Sequence, residues 1–135
     1  TVAEQTATVA GLAFTTDGKH LLTAARDGRI VKWKTSDGKK AGDVVGAGAP
    51  IHDLRTSGRF AVAACGDKTV RLIDRETAQQ IGQFRGHAEE TTAVAISADG
   101  AIVAGGGFDG VVYVWNRESG EAVCHFVAAP GLASP

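Results

Sequence analysis

Apolar side chains in this chain come in short runs of about five residues, each bounded by Gly, Asp or Ser. The stretch 105–116, GGGFDGVVYVWN, shows the pattern most clearly. Asp109-Gly110 is a hairpin-turn dipeptide, and Val111, Val112, Tyr113 and Val114 are β-branched or aromatic. Trp115 closes the strand, and the polar run NRESG breaks it. Strands are predicted at 9–14, 21–25, 30–34 and roughly 40–45, and again at 92–96, 101–105, 111–115 and 122–127. The 18 glycines argue against any long helix.

These runs repeat. Gly18, Gly58 and Gly100 sit in TDG, TSG and ADG; Asp27, Asp67 and Asp109 follow; then come Trp33, Ile73 and Trp115. All three markers step by 40 and then by 42 residues, so the chain holds three units of one motif. Four short antiparallel strands per unit, a meander blade, is the predicted element. The spacing from Val44 to Ile51 equals that from Phe84 to Thr91, but Ile51 to Gly58 is two residues shorter than Thr91 to Gly100. The deletion therefore lies in the first strand of the middle unit or in its turn, and that strand, 51–55, is expected to be short or bulged.

The third unit begins GHAEETTAVAISADG and ends FDGVVYVWN, and it resembles a WD-repeat β-propeller blade, as does the chain from about residue 5 to 127. Gly86-His87 match the dipeptide that leads into a blade, Asp109 the turn Asp, and Trp115 the Trp ending the third strand, with Asn116 in place of the final Asp. In the first unit Asp27 and Trp33 match, but Gln5 stands at the His position and Lys34 follows the Trp; the second keeps Asp67 and Asp74 but has Ile73 for Trp. The resemblance implies an all-β fold of three four-stranded meanders, with blades at about 5–47, 48–87 and 88–127. It also implies a bracing hydrogen-bond chain of His, Ser or Thr, Asp and Trp. The hydroxyl position holds Ala25, Cys65 and Gly107, so no unit has all four groups. At most the third forms His87–Asp109–Trp115, with Asp27, Trp33 and Asp67 bracing the others.

A closed propeller has about 4–8 blades, so three leave an open arc with two apolar ends. The expectation is a segment of a longer propeller protein; the alternative is a short chain that closes a ring as a homo-oligomer. The lack of any Met, even at position 1, is read in the same sense.

The composition, 44% hydrophobic and 21% charged, is that of an ordinary globular domain, and a net charge of -1 gives no reason to expect nucleic acid or an anionic membrane as partner. No run of eighteen apolar residues is present, and the residues 1–11, TVAEQTATVAG, are not expected to act as a signal peptide. The compartment stays open, with the cytoplasm favoured. Cys65 and Cys124 lie in apolar runs without metal-ligand spacing and read as two buried thiols, a disulfide between them remaining the alternative.

The four histidines, His20, His52, His87 and His125, suggest no active site. His52-Asp53 are adjacent on a strand and point to opposite faces. GGGFDG lacks both the spacing and the following helix of a phosphate loop, and its glycines are expected to allow tight blade packing. No cofactor or metal is expected, and Lys32, Lys34, Lys39 and Lys40 read as a solvated edge. What remains is a binding surface. In related propellers the face carrying the leading loops and the second-to-third-strand turns docks partners, which would place Arg26, Gly66 and Phe108 there, with Glu89 and Glu90 as an acidic rim. Phe108 is the expected anchor, with packing into the groove between blades as its alternative. The expected function is a non-catalytic scaffold for protein or peptide partners; a structural module appended to an enzyme is the rival.

Overall fold

Twelve strands and no helix follow from this pattern in the computed structural model, which describes residues 8–44, 49–77 and 79–128. The first sheet is β1 (Val9–Phe14), β2 (His20–Ala25), β3 (Ile30–Lys34) and β4 (Lys40–Val44). The second is β5 (Ile51–Ser57), β6 (Phe60–Cys65), β7 (Val70–Asp74) and β8 (Gln80–Phe84). The third is β9 (Thr91–Ile96), β10 (Ile102–Gly107), β11 (Val111–Asn116) and β12 (Ala122–Val127). Each is a four-stranded antiparallel meander in chain order, as the repeat implies. The Gln5 position, where the first blade was expected to begin, and the boundary at 47–48 between the first two blades fall outside the described residues.

Blade 2 lies between the other two, and β6 shows why its sequence is apolar at successive positions. Ala61, Ala63 and Cys65 pack with Leu22, Ala24 and Ile30 of blade 1, whereas Val62 and Ala64 pack with Val94, Val103 and Trp115 of blade 3. A strand buried on both faces reads as an unbroken hydrophobic run. The first strands of the blades approach closely. A β-carbon built on Gly11 of β1 would stand 2.5 Å from Leu54 Cβ of β5.

The first strand of the middle blade, expected to be short or bulged, is bulged but not short. β5 spans 7 residues against 6 in β1 and in β9, and all three carry a bulge near their start. The deletion sits in the turn. Ser57 pairs with Phe60 across Gly58 and Arg59, whereas Phe14 pairs with Leu21 around a longer loop. In that longer loop Asp17 Oδ1 accepts the Lys19 N–H at 2.9 Å, and Asp99 Oδ1 accepts that of Ala101 at 3.0 Å in the third blade.

The turns between second and third strands repeat one device. Asp27 and Asp109 each accept the N–H two residues on, at 3.0 and 3.1 Å, while Gly28 and Gly110 take positive φ. In the middle blade Lys68 holds that place at φ 72°, the one non-glycine with positive φ among the described residues.

Two predictions follow from packing and from turn geometry. Gly11→Ala should destabilise the fold by about 1–3 kcal/mol in denaturant unfolding. Gly42→Ala, whose β-carbon meets nothing within 4 Å, should stay within about 0.5 kcal/mol of the parent. Lys68→Gly should raise stability by about 0.5–1 kcal/mol, because it relieves a left-handed backbone that disfavours a β-carbon. An unchanged or lower midpoint would contradict that assignment.

Candidate protein-interaction surface

Backbone hydrogen bonds bring the three sequence-equivalent positions to one end of the blades. The Arg26 N–H donates to Thr8 O at 2.9 Å, that of Gly66 to Pro50 O at 2.7 Å and that of Phe108 to Glu90 O at 2.9 Å. Each bond ties the residue before the turn Asp to the residue before the first strand of its own blade. Arg26, Glu89 and Glu90 are exposed, and Phe108 is 81% exposed. Phe108 is therefore not packed between blades; its backbone is fixed while its ring faces solvent. Gly66, between Arg26 and Phe108 in the repeat, leaves open the space over Pro50 and His52, where a β-carbon would lie 3.1 Å from Pro50 Cδ and 3.5 Å from His52 Nε2.

The sequence did not mark His52 for this surface. It occupies the β5 bulge, and its Nε2 lies 3.0 Å from Glu90 Oε2, across the junction of blades 2 and 3. Asp53 is separately engaged. Its Oδ2 accepts the Val94 N–H at 3.2 Å, so a carboxylate on β5 fastens β9. The only sequence-level signal for the His52 role is the acidic pair in the leading loop of the next blade.

The His87–Asp109–Trp115 chain is not made. His87 is 6% exposed, and its Nε2–H donates to Gly105 O at 2.9 Å, while Nδ1 has no hydrogen-bond partner. The Trp115 indole N–H donates to Arg85 O at 3.1 Å. Asp109 Oδ1 serves the Val111 N–H. The reason is Gly107: a β-carbon there would stand 2.9 Å from both His87 Nδ1 and Asp109 Oδ1, and glycine brings no hydroxyl to join them. Ring contacts hold the cluster instead. His87 meets Tyr113 edge-on at 4.7 Å and Trp115 at 5.8 Å, and Trp115 stacks on Phe84 at 5.4 Å.

The other two blades use different anchors. The Trp33 indole N–H donates to Thr23 Oγ1 at 2.9 Å, and Asp27 caps its own turn. Asp67 pairs with Arg71 and accepts from the Thr69 hydroxyl. Burial works against its ionisation, but the Thr69 and Arg71 hydrogen bonds outweigh it and hold the carboxyl below the usual range.

Both cysteines are free. Cys65 is buried, which pushes its thiol up to about 11. Cys124, expected to be buried, is exposed, because β12 is the edge strand of its sheet and all six of its residues are exposed. Lys32 also departs from a purely solvated role, donating to Glu76 O of blade 2 at 3.0 Å. Along the first strands runs a groove of about 570 Å³ whose titratable lining residues are Asp53 and Arg55, 3.4 Å from each other. No group of three or more His, Cys, Asp or Glu placed to hold a metal ion occurs among the described residues.

Comparison with known proteins agrees with this architecture. The family described as WD domain, G-beta repeat matches residues 1–34 and 78–116, more than half of the sequence. The chain belongs to the WD40 family. It is 32% identical to "Telomerase protein component 1" of Rattus norvegicus over 81% of this chain and 4% of that protein. It is 31% identical to "Target of rapamycin complex subunit wat1" of Schizosaccharomyces pombe over 73% of this chain and 32% of that protein. Among solved structures, "Crystal structure of RRP9 WD40 repeats" superposes with a TM-score of 0.82 at 20% identity, covering 93% of this chain and 40% of that one. The chain thus spans no more than 32% of the length of the curated relatives it matches. WD40 propellers are generally non-catalytic scaffolds of protein assemblies.

His87 gives a pH test. Burial lowers its pKa from 6.5, against the raising influence of the Gly105 carbonyl and the Asp109 charge. Below pH 6.5 the unfolded chain takes up the proton first, so the stability tied to neutral His87 is complete above that pH and is lost as pH falls. The loss of stability between pH 7.5 and 5 should be smaller in His87→Gln than in the parent. Parallel curves in urea titrations would refute the assignment.

Proposed function

We propose that this chain is a non-catalytic WD40 scaffold that holds a protein or peptide partner on the face formed by Arg26, Phe108, Glu89 and Glu90. The observation that carries this is Phe108: an aromatic side chain 81% exposed on a turn whose backbone is pinned to Glu90. Aromatic anchors flanked by charge are common hot spots, and a ring held by a fixed backbone loses little freedom on binding. The partner suited to it is an extended segment with an apolar side chain over Phe108. A basic residue would approach Glu89 and Glu90, and an acidic one Arg26. The names of the telomerase component and of the rapamycin-complex subunit, both proteins of assemblies, support this reading. We take nucleic acid and membranes not to be partners, and no cofactor to be needed.

The chain is further proposed to be part of a longer propeller, since its relatives continue well beyond the matched region. Closure of a ring by self-association is the second reading, favoured by the uncovered face of blade 3. A place as structural module beside a catalytic domain would be compatible with the same surface.

A peptide-display selection against the whole chain tests the surface. Phe108→Ala should weaken the selected peptides at least about tenfold, roughly 1.4 kcal/mol, with stability unchanged within about 0.5 kcal/mol. Arg26→Ala and Glu90→Ala should each weaken a charge-matched subset. Binders indifferent to all three substitutions would remove the proposed face.

A further inference from the structure

Each blade ends in an edge strand, and the three edges differ in what they offer to another chain. β4 carries Lys40 and a central glycine, Gly42; β8 carries Gln80, Gln83 and a central glycine, Gly82. Lysine and glycine weaken an edge as a template for a further strand. β12 reads AVCHFV, and the register puts Cys124 opposite Val114 where Gly82 stands opposite Leu72 and Gly42 opposite Lys32. It has neither lysine nor glycine, and all six of its residues are exposed. Valine and phenylalanine favour extended backbone, so β12 is the least guarded of the three edges.

Only half of its main chain is engaged. Among the described residues β12 pairs with β11 alone. The Ala128 N–H donates to Gly110 O at 2.9 Å, so by antiparallel alternation Phe126 and Cys124 also turn their amide and carbonyl groups toward β11. His125 and Val127 turn theirs outward.

We propose that this edge accepts an extended segment of a partner protein as a fifth strand, antiparallel to β12 and hydrogen-bonded to the main chain of His125 and Val127. The inference does not rest on the Phe108 surface. Side chains define the segment: β-branched residues alongside Phe126 and Val127, and basic residues at its carboxyl end, which lies beside the turn that carries Glu118 and Glu121. Both glutamates are exposed. Residues 86–128 hold six acidic side chains and Arg117 as their one lysine or arginine, so charge selects a basic strand. The same charge works against a second copy paired through its own β12, which would bring two acidic blades side by side. Two six-residue strands also bury far less than the roughly 1,200 Å² of a stable interface.

The test titrates the full chain into a fluorescein-labelled peptide of alternating threonine and valine that ends in two lysines, read by fluorescence anisotropy. Saturable binding with a Kd below about 1 mM is expected. His125→Pro removes an outward N–H and should weaken binding at least about tenfold. His125→Gln loses the ring stacked on Tyr113 at 5.1 Å but keeps that N–H, and should bind as the parent does. Glu118→Gln combined with Glu121→Gln should weaken binding at least about threefold and flatten its dependence on salt. The same peptide methylated on its backbone nitrogens should not bind, which decides the matter if His125→Pro lowers the Tm. Phe108→Ala should leave the affinity unchanged, so the two surfaces stand or fall separately. No binding at about 1 mM, equal binding by a folded His125→Pro chain, binding of the methylated peptide, or loss of binding in Phe108→Ala would each overturn the proposal. A full chain that dimerises and thereby excludes the peptide would give the edge to a second copy and overturn it as well.

Discussion

The structure depends on the burial of blade 2 on both sides. Its second strand carries no polar side chain, and its two faces serve two neighbours: Ala61, Ala63 and Cys65 toward blade 1, Val62 and Ala64 toward blade 3. Small side chains let the sheets approach, and the contact is closest where Gly11 meets Leu54. Polar links are few and sit at the margins. Asp53 holds Val94, Ser57 Oγ donates to Ala98 O at 2.9 Å, and Glu76 accepts from Thr16. Apolar burial stabilises the arrangement, while these directional bonds fix the sheets in register.

Strand positions were legible because period, turn dipeptides and repeat spacing all gave the same answer. Val9–Phe14, Ile30–Lys34 and Ala122–Val127 end where the pattern ends. The deletion in the middle unit was legible in size but not in place. A two-residue hairpin lets the strands run longer, so shortening the loop lengthened β5. Cys124 misled for a related reason. Its apolar run shows that one face of β12 suits a neighbour, whereas exposure depends on whether a neighbour is there.

The bracing chain failed at the level of side-chain geometry, which spacing does not specify. A β-carbon on Gly107 would stand 2.9 Å from both His87 Nδ1 and Asp109 Oδ1, but without a hydroxyl there each bonds a backbone group. At the surface the register gave the positions of Arg26 and Phe108, because those follow from backbone alone. His52 was not legible. A bulge re-aims the side chain it carries, and its bond to Glu90 joins residues from two different blades.

That bond bears on how structure and binding are connected. In a repeat array, stability is close to a sum of unit and nearest-neighbour interface contributions. Among the described residues blade 2 has two such interfaces and blade 3 has one, with every residue of β12 exposed. Undocking of blade 3 is thus a smaller rearrangement than global unfolding, and it would separate Glu90 from His52 and the Phe108 turn from the rest of the surface. A ligand touching both sides of this junction binds the docked arrangement alone, so its binding free energy adds to the interface between blades 2 and 3. By the same linkage, whatever covers the open face of blade 3 raises the fraction of molecules in which the binding surface is whole. The apolar face and the charged, aromatic end of the blades are separate in space, yet they act on one equilibrium.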